Sequence, residues 1–249
     1  MNEVGNLIRS LSGRSPARNF HSFVINQIGV GIVSGKFPVG SILPNDAAMI
    51  DEYGVSRTVL REALKTLEAK GLVEARPKVG TRVSPRSRWN LYDSSVLSWH
   101  FDGTSDPALI ESLFDLRLTL EPRSAELAAT RRTADNLRLL QYWLHQMEIS
   151  VLLPEPFALA EFELHRLLAD ASHNPFHRSA LGTVELAIAL TARASLTSPK
   201  SHDRNPTLQR HRTLLSAIDT AQPGVARACM EAIIADDLKI ALLPGASNR

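Results

Sequence analysis

The stretch LPNDAAMIDEYGVSRTVLREALKTLEAKGLVEARPKVGTRV, residues 43–83, decides the fold of the first third of the chain. It predicts two helices separated by a tight turn at Gly54, because Asn45 and Ser56 are residue types that cap helix N-termini. Gly71 is suited to end the second helix. Two short strand-like runs around a glycine-containing turn follow. With a helical apolar pattern before the stretch, this order is typical of a winged helix-turn-helix.

The second helix of the stretch carries a basic face. Arg57, Arg61 and Lys65 are spaced four residues apart, so they share one side of the helix, opposite a Leu/Val stripe. A helix of this width fits the DNA major groove, where arginine bonds guanine edges. Ser56 and Thr58 begin the helix and can contact phosphate. The alternative is a basic face that is merely solvated.

Charge is distributed unevenly along the chain. The net charge is only +2, yet residues 1–88 hold 13 basic and 7 acidic side chains and the rest hold 15 and 19. The resulting +6 and −4 indicate a polyanion-binding module joined to an acidic domain.

Composition excludes several classes of protein. At 44% hydrophobic and 22% charged residues, the 249-residue chain is typical of an ordinary globular protein. Its apolar runs are far below the ~18 residues of a membrane-spanning helix. The single cysteine, Cys229, excludes a disulfide framework and any multi-cysteine zinc module. No signal sequence is evident, so we expect a cytoplasmic protein without membrane partners.

The predicted fold class is mostly α, a winged helix-turn-helix with a small β wing followed by an all-α antiparallel bundle. Residues 1–15 are predicted to be a flexible arm, 16–86 the winged helix-turn-helix, and 87–105 a linker. Residues 106–245 are predicted to form six helices with short connections.

Residues 43–83 resemble the winged-helix domain of GntR-family transcription regulators, in particular the FadR-like branch, in which SRxxxREAL and GLV precede a glycine-containing wing. The resemblance implies base or phosphate contacts from Ser56, Arg57 and Arg61. It also implies contacts from the wing residues Lys78, Gly80 and Thr81. The expected partner is double-stranded DNA, a palindromic operator bound by a homodimer.

The remainder resembles the FCD effector domain of that branch, whose pocket holds a divalent metal in many members. The resemblance places ligands at Glu161 and His165, in LAEFELHRLLADASHNPF, and at His211, in QRHRTLLSAI. Ile233 stands where the fourth ligand is expected. Three interpretations stay open: a divalent metal such as zinc held by three protein ligands and effector oxygens, direct hydrogen bonding of the effector, or satisfied core histidines.

Two arginines in the bundle favour a carboxylate effector. Arg117 lies in DLRLTLEP, which resembles an R-x-x-x-E stretch that recurs at the start of these domains, with Glu121 as its partner. Arg193 lies mid-helix between apolar neighbours, and a guanidinium in a bundle interior needs an anion. An ion pair within the protein is the alternative for either arginine. The segment RSRWNLYDSSVLSW, residues 86–99, is similar to one in repressors of galactonate and related sugar-acid operons.

The expected function is therefore a repressor of a sugar-acid catabolic operon that a small carboxylate such as galactonate releases from its operator. The alternative is an FCD-type regulator that responds to another organic acid through a bound metal. An enzyme is not expected, because no HExxH, phosphate loop or Gly-x-Ser-x-Gly motif occurs. An architectural DNA-binding protein with a ligand-blind bundle is a further alternative.

Overall fold

The structure, a computed structural model, describes residues 5–9, 11, 20–102, 106–197 and 203–243. The chain divides into two compact units. Residues 15–105 form the winged-helix unit, and residues 1–14 with 106–249 form the bundle unit. Among the described helices, none combines the length and hydropathy needed to cross a membrane. The predicted fold class, mostly helical with one small sheet, is confirmed.

Numbered in chain order, the elements are α1 Asn6–Arg9, α2 Phe20–Val33, α3 Asp46–Tyr53, α4 Arg57–Ala69, β1 Val73–Arg76, β2 Gly80–Val83, α5 Ser94–Asp102, α6 Pro107–Arg131, α7 Ala134–Ile149, α8 Pro154–Ala171, α9 Pro175–Ser179, α10 Leu181–Thr197, α11 Asn205–Asp219 and α12 Pro223–Ala241. A short 3-10 helix, Arg86–Arg88, follows β2.

The helix-turn-helix forms through the caps that the sequence predicts. The Asn45 side chain accepts a hydrogen bond from the Ala48 amide at 2.9 Å, which starts α3. Ser56 Oγ accepts from the Val59 amide at 3.3 Å, which starts α4. Gly54 ends α3 in the left-handed region, with φ +63°. These local bonds fix the direction in which α4 leaves the turn.

The wing is an antiparallel hairpin of β1 and β2. Val73 pairs with Val83, and Arg76 pairs with Gly80. Lys78, at the turn, has a φ of +65° and is exposed. The hairpin therefore holds a lysine at its tip.

The described residues of the predicted linker, 87–102, complete the core of the winged-helix unit. Trp89, Val96 and Trp99 are buried in that core. The Trp99 indole N–H donates to Asn26 Oδ1 at 2.9 Å, and its ring lies against Gly29, where a Cβ would be only 2.5 Å away. Residues 103–105 lie outside the described part of the chain.

The bundle unit contains the predicted helices, with one difference. The helix expected over residues 175–197 is broken into α9 and α10, because the backbone around Ala180 forms i to i+3 bonds in place of helical ones. Helix α12 packs along α6, and α8 packs between α7 and α10. Helices α6, α8, α11 and α12 thus surround the interior of the bundle unit.

The described part of the predicted flexible arm packs on the bundle. Leu7 and Ile8 of α1 are buried, and α1 contacts α8 and α10. The Leu7 amide donates to Glu185 Oε1 at 2.7 Å, and burial raises the pKa of this carboxyl. Residues 5–9 of the predicted arm therefore pack against the bundle in this structure; residues 1–4, 10 and 12–15 lie outside the described residues.

Gly71 is expected to be irreplaceable at the end of α4, whereas Gly54 is not. A Cβ at Gly71 would lie 2.0 Å from the Arg88 carbonyl oxygen, and the φ of Gly71 is +80°. Gly54 also has a positive φ, but a Cβ there meets open space. Gly54→Ala should cost about 1–2 kcal/mol through backbone strain, and Gly71→Ala at least about 2 kcal/mol more through the clash. Urea unfolding of both variants measures the difference, and equal losses would contradict it.

Candidate functional site

The basic face of α4 lies on the solvent side of the winged-helix unit. Arg57 and Arg61 are exposed and form no ion pair with any residue that the structure describes. Lys65 is also exposed, and its Nζ lies 2.8 Å from Glu62 Oε1. Thr58 is exposed at the first turn. The opposite side of the helix is buried through Leu60, Ala63 and Leu67.

Two basic residues of the wing have partners within the protein, and a third is exposed without one among the described residues. Arg76 pairs with Glu74 at 2.7 Å, and Arg82 Nε donates to the Gly40 carbonyl at 2.8 Å. Lys78 has no such partner among the described residues. Gly80 is exposed and Thr81 is half-buried next to the tip. Lys78 is therefore the wing cation that remains available to a ligand.

A cluster of polar and charged side chains lies inside the bundle unit, supplied by α6, α8, α11 and α12. Each of its members is at most 7% exposed. Buried charge is costly unless it is paired, so the contacts within the cluster decide what it can bind. We refer to it as the buried cluster, and it consists of Arg117, Glu121, Glu161, His165, His211 and Asp237.

Arg117 is held by two carboxylates. Its Nε lies 2.5 Å from Glu121 Oε1, and its Nη1 lies 3.1 Å from Asp237 Oδ2. Burial opposes the guanidinium charge, but the two carboxylates outweigh burial and raise the pKa of Arg117. Burial likewise opposes ionisation of Glu121, yet Arg117 and His165 lower its pKa to about 2. Arg117, predicted to bind the effector, thus forms the ion pair within the protein that was its alternative.

The two histidines face each other through their Nε2 atoms. His165 Nδ1 contacts Glu121 Oε2, and His211 Nδ1 lies 2.9 Å from the Thr207 carbonyl oxygen. Both Nδ1 atoms therefore donate, because their partners only accept. The two Nε2 atoms are 3.2 Å apart. Two lone pairs at that distance repel, so either a proton on one ring or a cation must lie between them.

Protonation of His211 does not resolve this repulsion. Burial, together with the neighbouring His165, lowers the pKa of His211 to about 3. His211 is therefore neutral at pH 7 and offers a lone pair.

Glu161 completes the set of atoms that can hold a cation. Its Oε1 is buried, has no hydrogen-bond partner in the described part of the chain and lies 3.9 Å from His211 Nε2. Burial and the nearby Asp237 carboxylate raise the pKa of Glu161 well above its ordinary value. Ligand atoms of Glu161, His165 and His211 lie within 4.8 Å of one another. Two nitrogens bound to one tetrahedral zinc are about 3.3 Å apart, so the separation of the histidines fits such an ion.

No side chain of α12 supplies the fourth ligand. Ile233 is buried at the expected position, and Asp237, one turn further on, is paired with Arg117. Cys229 is half-buried beside a surface groove that Arg210 also lines, between α11 and α12. Neither residue substitutes for the missing histidine in this structure.

Space inside the bundle unit is limited. A cavity of about 20 Å³ adjoins Arg117, Glu121 and His165, which is enough for a single water molecule. Ser124 Oγ lies 2.7 Å from His177 Nδ1 at the same cavity, a contact that the sequence did not suggest. Arg193 is half-buried on α10 and does not line this cavity.

Comparison with known proteins identifies both units. The model of the family "Bacterial regulatory proteins, gntR family" matches residues 21–83, and the FCD domain model matches residues 112–236. The galactonate operon transcriptional repressor of Escherichia coli (strain K12) is 33% identical over 198 residues, 78% of this chain and 85% of that protein. The Glc operon transcriptional activator of the same strain is 30% identical over 57% of each chain.

A solved structure supports the fold. The Listeria monocytogenes regulator Lar has a TM-score of 0.63 and 18% identity, covering 91% of this chain and 98% of that one. The expectation of a regulator and not an enzyme is confirmed, because the matching families and relatives are regulators.

Removing the charge of Asp237 should destabilise the bundle, whereas the same change at its neighbour should not. Asp237→Asn leaves the buried Arg117 with a single carboxylate, which should cost on the order of 3 kcal/mol. Asp236 is partly exposed and pairs with Lys239 and Arg210, so Asp236→Asn should cost about 0–1 kcal/mol. Chemical denaturation of both variants tests this, and a loss at position 237 no larger than at 236 would contradict it.

Proposed function

The chain belongs to the gntR family of bacterial regulatory proteins and carries an FCD domain, so it is a DNA-binding transcriptional regulator, and we propose that it represses a sugar-acid catabolic operon. In this proposal a homodimer binds a palindromic operator. A small carboxylate such as galactonate binds the bundle and lowers the affinity for DNA. The observation that carries the proposal is the combination, in one chain, of an exposed basic helix face with a buried polar cluster.

The proposed DNA contacts come from α4 and the wing. Arg57 and Arg61 are free of ion pairs among the described residues and project from the N-terminal half of α4, the part of a recognition helix that reaches base edges. Lys65 lies on the same face of α4, one turn further on, where it can contact the DNA backbone. Their exposure supports this assignment. The full set of proposed contacts is Ser56, Arg57, Thr58, Arg61, Lys65, Lys78, Gly80 and Thr81.

Arg57→Gln and Arg61→Gln should each weaken operator binding by about 1–3 kcal/mol, because a guanidinium that contacts DNA is lost. The probe is a duplex selected from a random pool by the full-length protein, with binding followed by fluorescence anisotropy. Arg138→Gln is the control, since Arg138 is an exposed arginine of α7 whose loss removes the same charge. Binding that is unchanged in both α4 variants would exclude this helix as the DNA-reading element.

The buried cluster supports a small, polar, acidic effector. Glu161, His165 and His211 present oxygen and nitrogen atoms that suit hydroxyl and carboxyl groups better than an acyl chain. The relative from Escherichia coli is named as the repressor of the galactonate operon. A hexonate offers both a carboxylate and several hydroxyls, so it is the effector class that we propose.

A metal-mediated response is the second candidate, favoured by the facing Nε2 atoms. The residues that would hold a divalent ion are Glu161, His165 and His211. When bound, such an ion would act as a Lewis acid that attracts effector oxygens. The chain would contribute the orientation of its ligands, since Glu121 and the Thr207 carbonyl hold the Nδ1 side of each ring.

Galactonate should raise the thermal unfolding midpoint of the full chain, because a ligand that binds only the folded state stabilises it by about 2.7 kcal/mol at a hundred times its Kd. The measurement is repeated after dialysis against a chelator and after addition of Zn²⁺. A shift that survives chelation indicates direct binding, and one that requires Zn²⁺ indicates the metal-mediated response. Galactitol, which lacks the carboxylate, is the control, and the absence of a shift with any hexonate or other small carboxylate would contradict an acid effector.

A further inference from the structure

Arg204 lies beside the buried cluster, although it belongs to none of the patterns described above. It directly precedes α11, and its guanidinium carbon is 6.0 Å from the centre of the Phe157 ring. Its Nη1 donates to the Val151 carbonyl oxygen at 3.3 Å. These two contacts hold the side chain against the start of α8.

Helical spacing aligns Arg204 with the cluster. On α8, Phe157, Glu161 and His165 follow one another at intervals of four residues and therefore share a face. Arg204 packs on the first of these residues, one turn from Glu161. On α11, His211 lies seven residues after Arg204, again on the same side. The guanidinium thus lies beyond Glu161, at the N-terminal end of the two helix faces that carry Glu161, His165 and His211.

The guanidinium of Arg204 is incompletely satisfied. Its Nη2 is buried and has no hydrogen-bond partner among the described residues. The nearby Oε1 of Glu161 is buried and unpartnered as well. A buried donor without an acceptor is costly, and a charged one more so. Burial lowers the pKa of Arg204, an effect that Glu161 opposes.

The other arginine of the site differs in its charge, which is paired. One of its nitrogens, Nη2, also lacks a hydrogen-bond partner among the described residues. Arg117 is fully buried, and two carboxylates neutralise its charge. Arg204 forms no ion pair with any described residue, and it is half-buried, so one side of it is accessible from solvent. Among the described residues, Arg204 therefore combines an unsatisfied buried donor with an unpaired charge and partial exposure, whereas Arg117 is fully buried with its charge paired.

We propose that Arg204 binds the carboxylate of the effector, while Glu161, His165 and His211 receive its hydroxyl groups. The inference rests on the proposed function, in that it requires a small hydroxy-carboxylate as the effector. A guanidinium matches a carboxylate with two parallel hydrogen bonds, which Nη2 and a neighbouring nitrogen provide. The ligand class is a short acid with a hydroxyl close to its carboxylate, and the acid group lies on the solvent side.

The experiment compares two ligands and three variants by isothermal titration calorimetry on the full-length protein. The ligands are galactonate and galactitol, which differ in the carboxylate. The variants are Arg204→Gln, Arg204→Lys and, as the matched control, Arg138→Gln on the exposed face of α7. Circular dichroism melts of each variant measure whether it folds without the contacts that Arg204 makes with Val151 and Phe157.

Loss of a charged hydrogen-bonded pair predicts a fall in galactonate affinity of about ten- to a hundredfold in Arg204→Gln. Arg204→Lys should retain part of the affinity, because it keeps the charge but not the planar fork. Galactitol should bind the wild type weakly and Arg204→Gln equally weakly, and Arg138→Gln should behave as the wild type.

Three results would overturn the inference. Equal losses of galactonate and galactitol affinity in Arg204→Gln would make Arg204 a structural residue. Undiminished galactonate binding in folded Arg204→Gln would place the carboxylate elsewhere while leaving the proposed function intact. A wild type that binds neither galactonate nor any other small carboxylate would remove both the inference and the effector class on which it rests.

Discussion

The ion pairs of Arg117 constrain the rest of the bundle unit. A guanidinium without access to water must be met by anions, and here Glu121 on its own helix and Asp237 on α12 provide them. Glu121 uses its second oxygen to bond His165, which in turn faces His211. A single buried charge therefore sets the relative register of α6, α8, α11 and α12. Its pairing also places Glu121 to hold the Nδ1 side of His165, whereas the Thr207 carbonyl holds the Nδ1 side of His211.

This internal pairing separates the groups that support the fold from the groups that can bind a ligand. The charges of Arg117 and Glu121 are paired with each other, and Asp237 and His165 provide their further contacts. Beside the facing Nε2 atoms of the two histidines, one oxygen of Glu161 and one nitrogen each of Arg117 and Arg204 remain without a hydrogen-bond partner among the described residues. Such a set contains both acceptors and a cationic donor, which is the complement of a hydroxy acid. The absence of a fourth protein ligand at Ile233 is consistent with a site in which the effector, and not the protein, supplies the remaining oxygen atoms.

Features that depend on short sequence separations could be predicted, and features that depend on helix packing could not. The caps at Asn45 and Ser56 and the basic face of α4 follow from contacts within four residues. The pairing of Arg117 with Asp237 joins residues 120 positions apart, and the bond from Leu7 to Glu185 joins residues 178 apart. No periodicity signals such contacts. Arg204 could not be predicted for a related reason. It lies at the start of a helix, outside any periodic pattern, and it reaches Phe157 only because α11 begins near α8.

The size of the interior bears on how an effector could control DNA binding. The cavity beside Arg117 and His165 has room for about 20 Å³, which is less than a hexonate fills. An effector that binds at this cavity must therefore separate helices that are now in contact, so it has a higher affinity for an opened bundle than for this one. A ligand shifts an equilibrium only by such a difference in affinity between two states. If the closed bundle is the state that favours the operator, then opening it weakens DNA binding, and by reciprocity the operator must oppose the binding of the acid to the same extent.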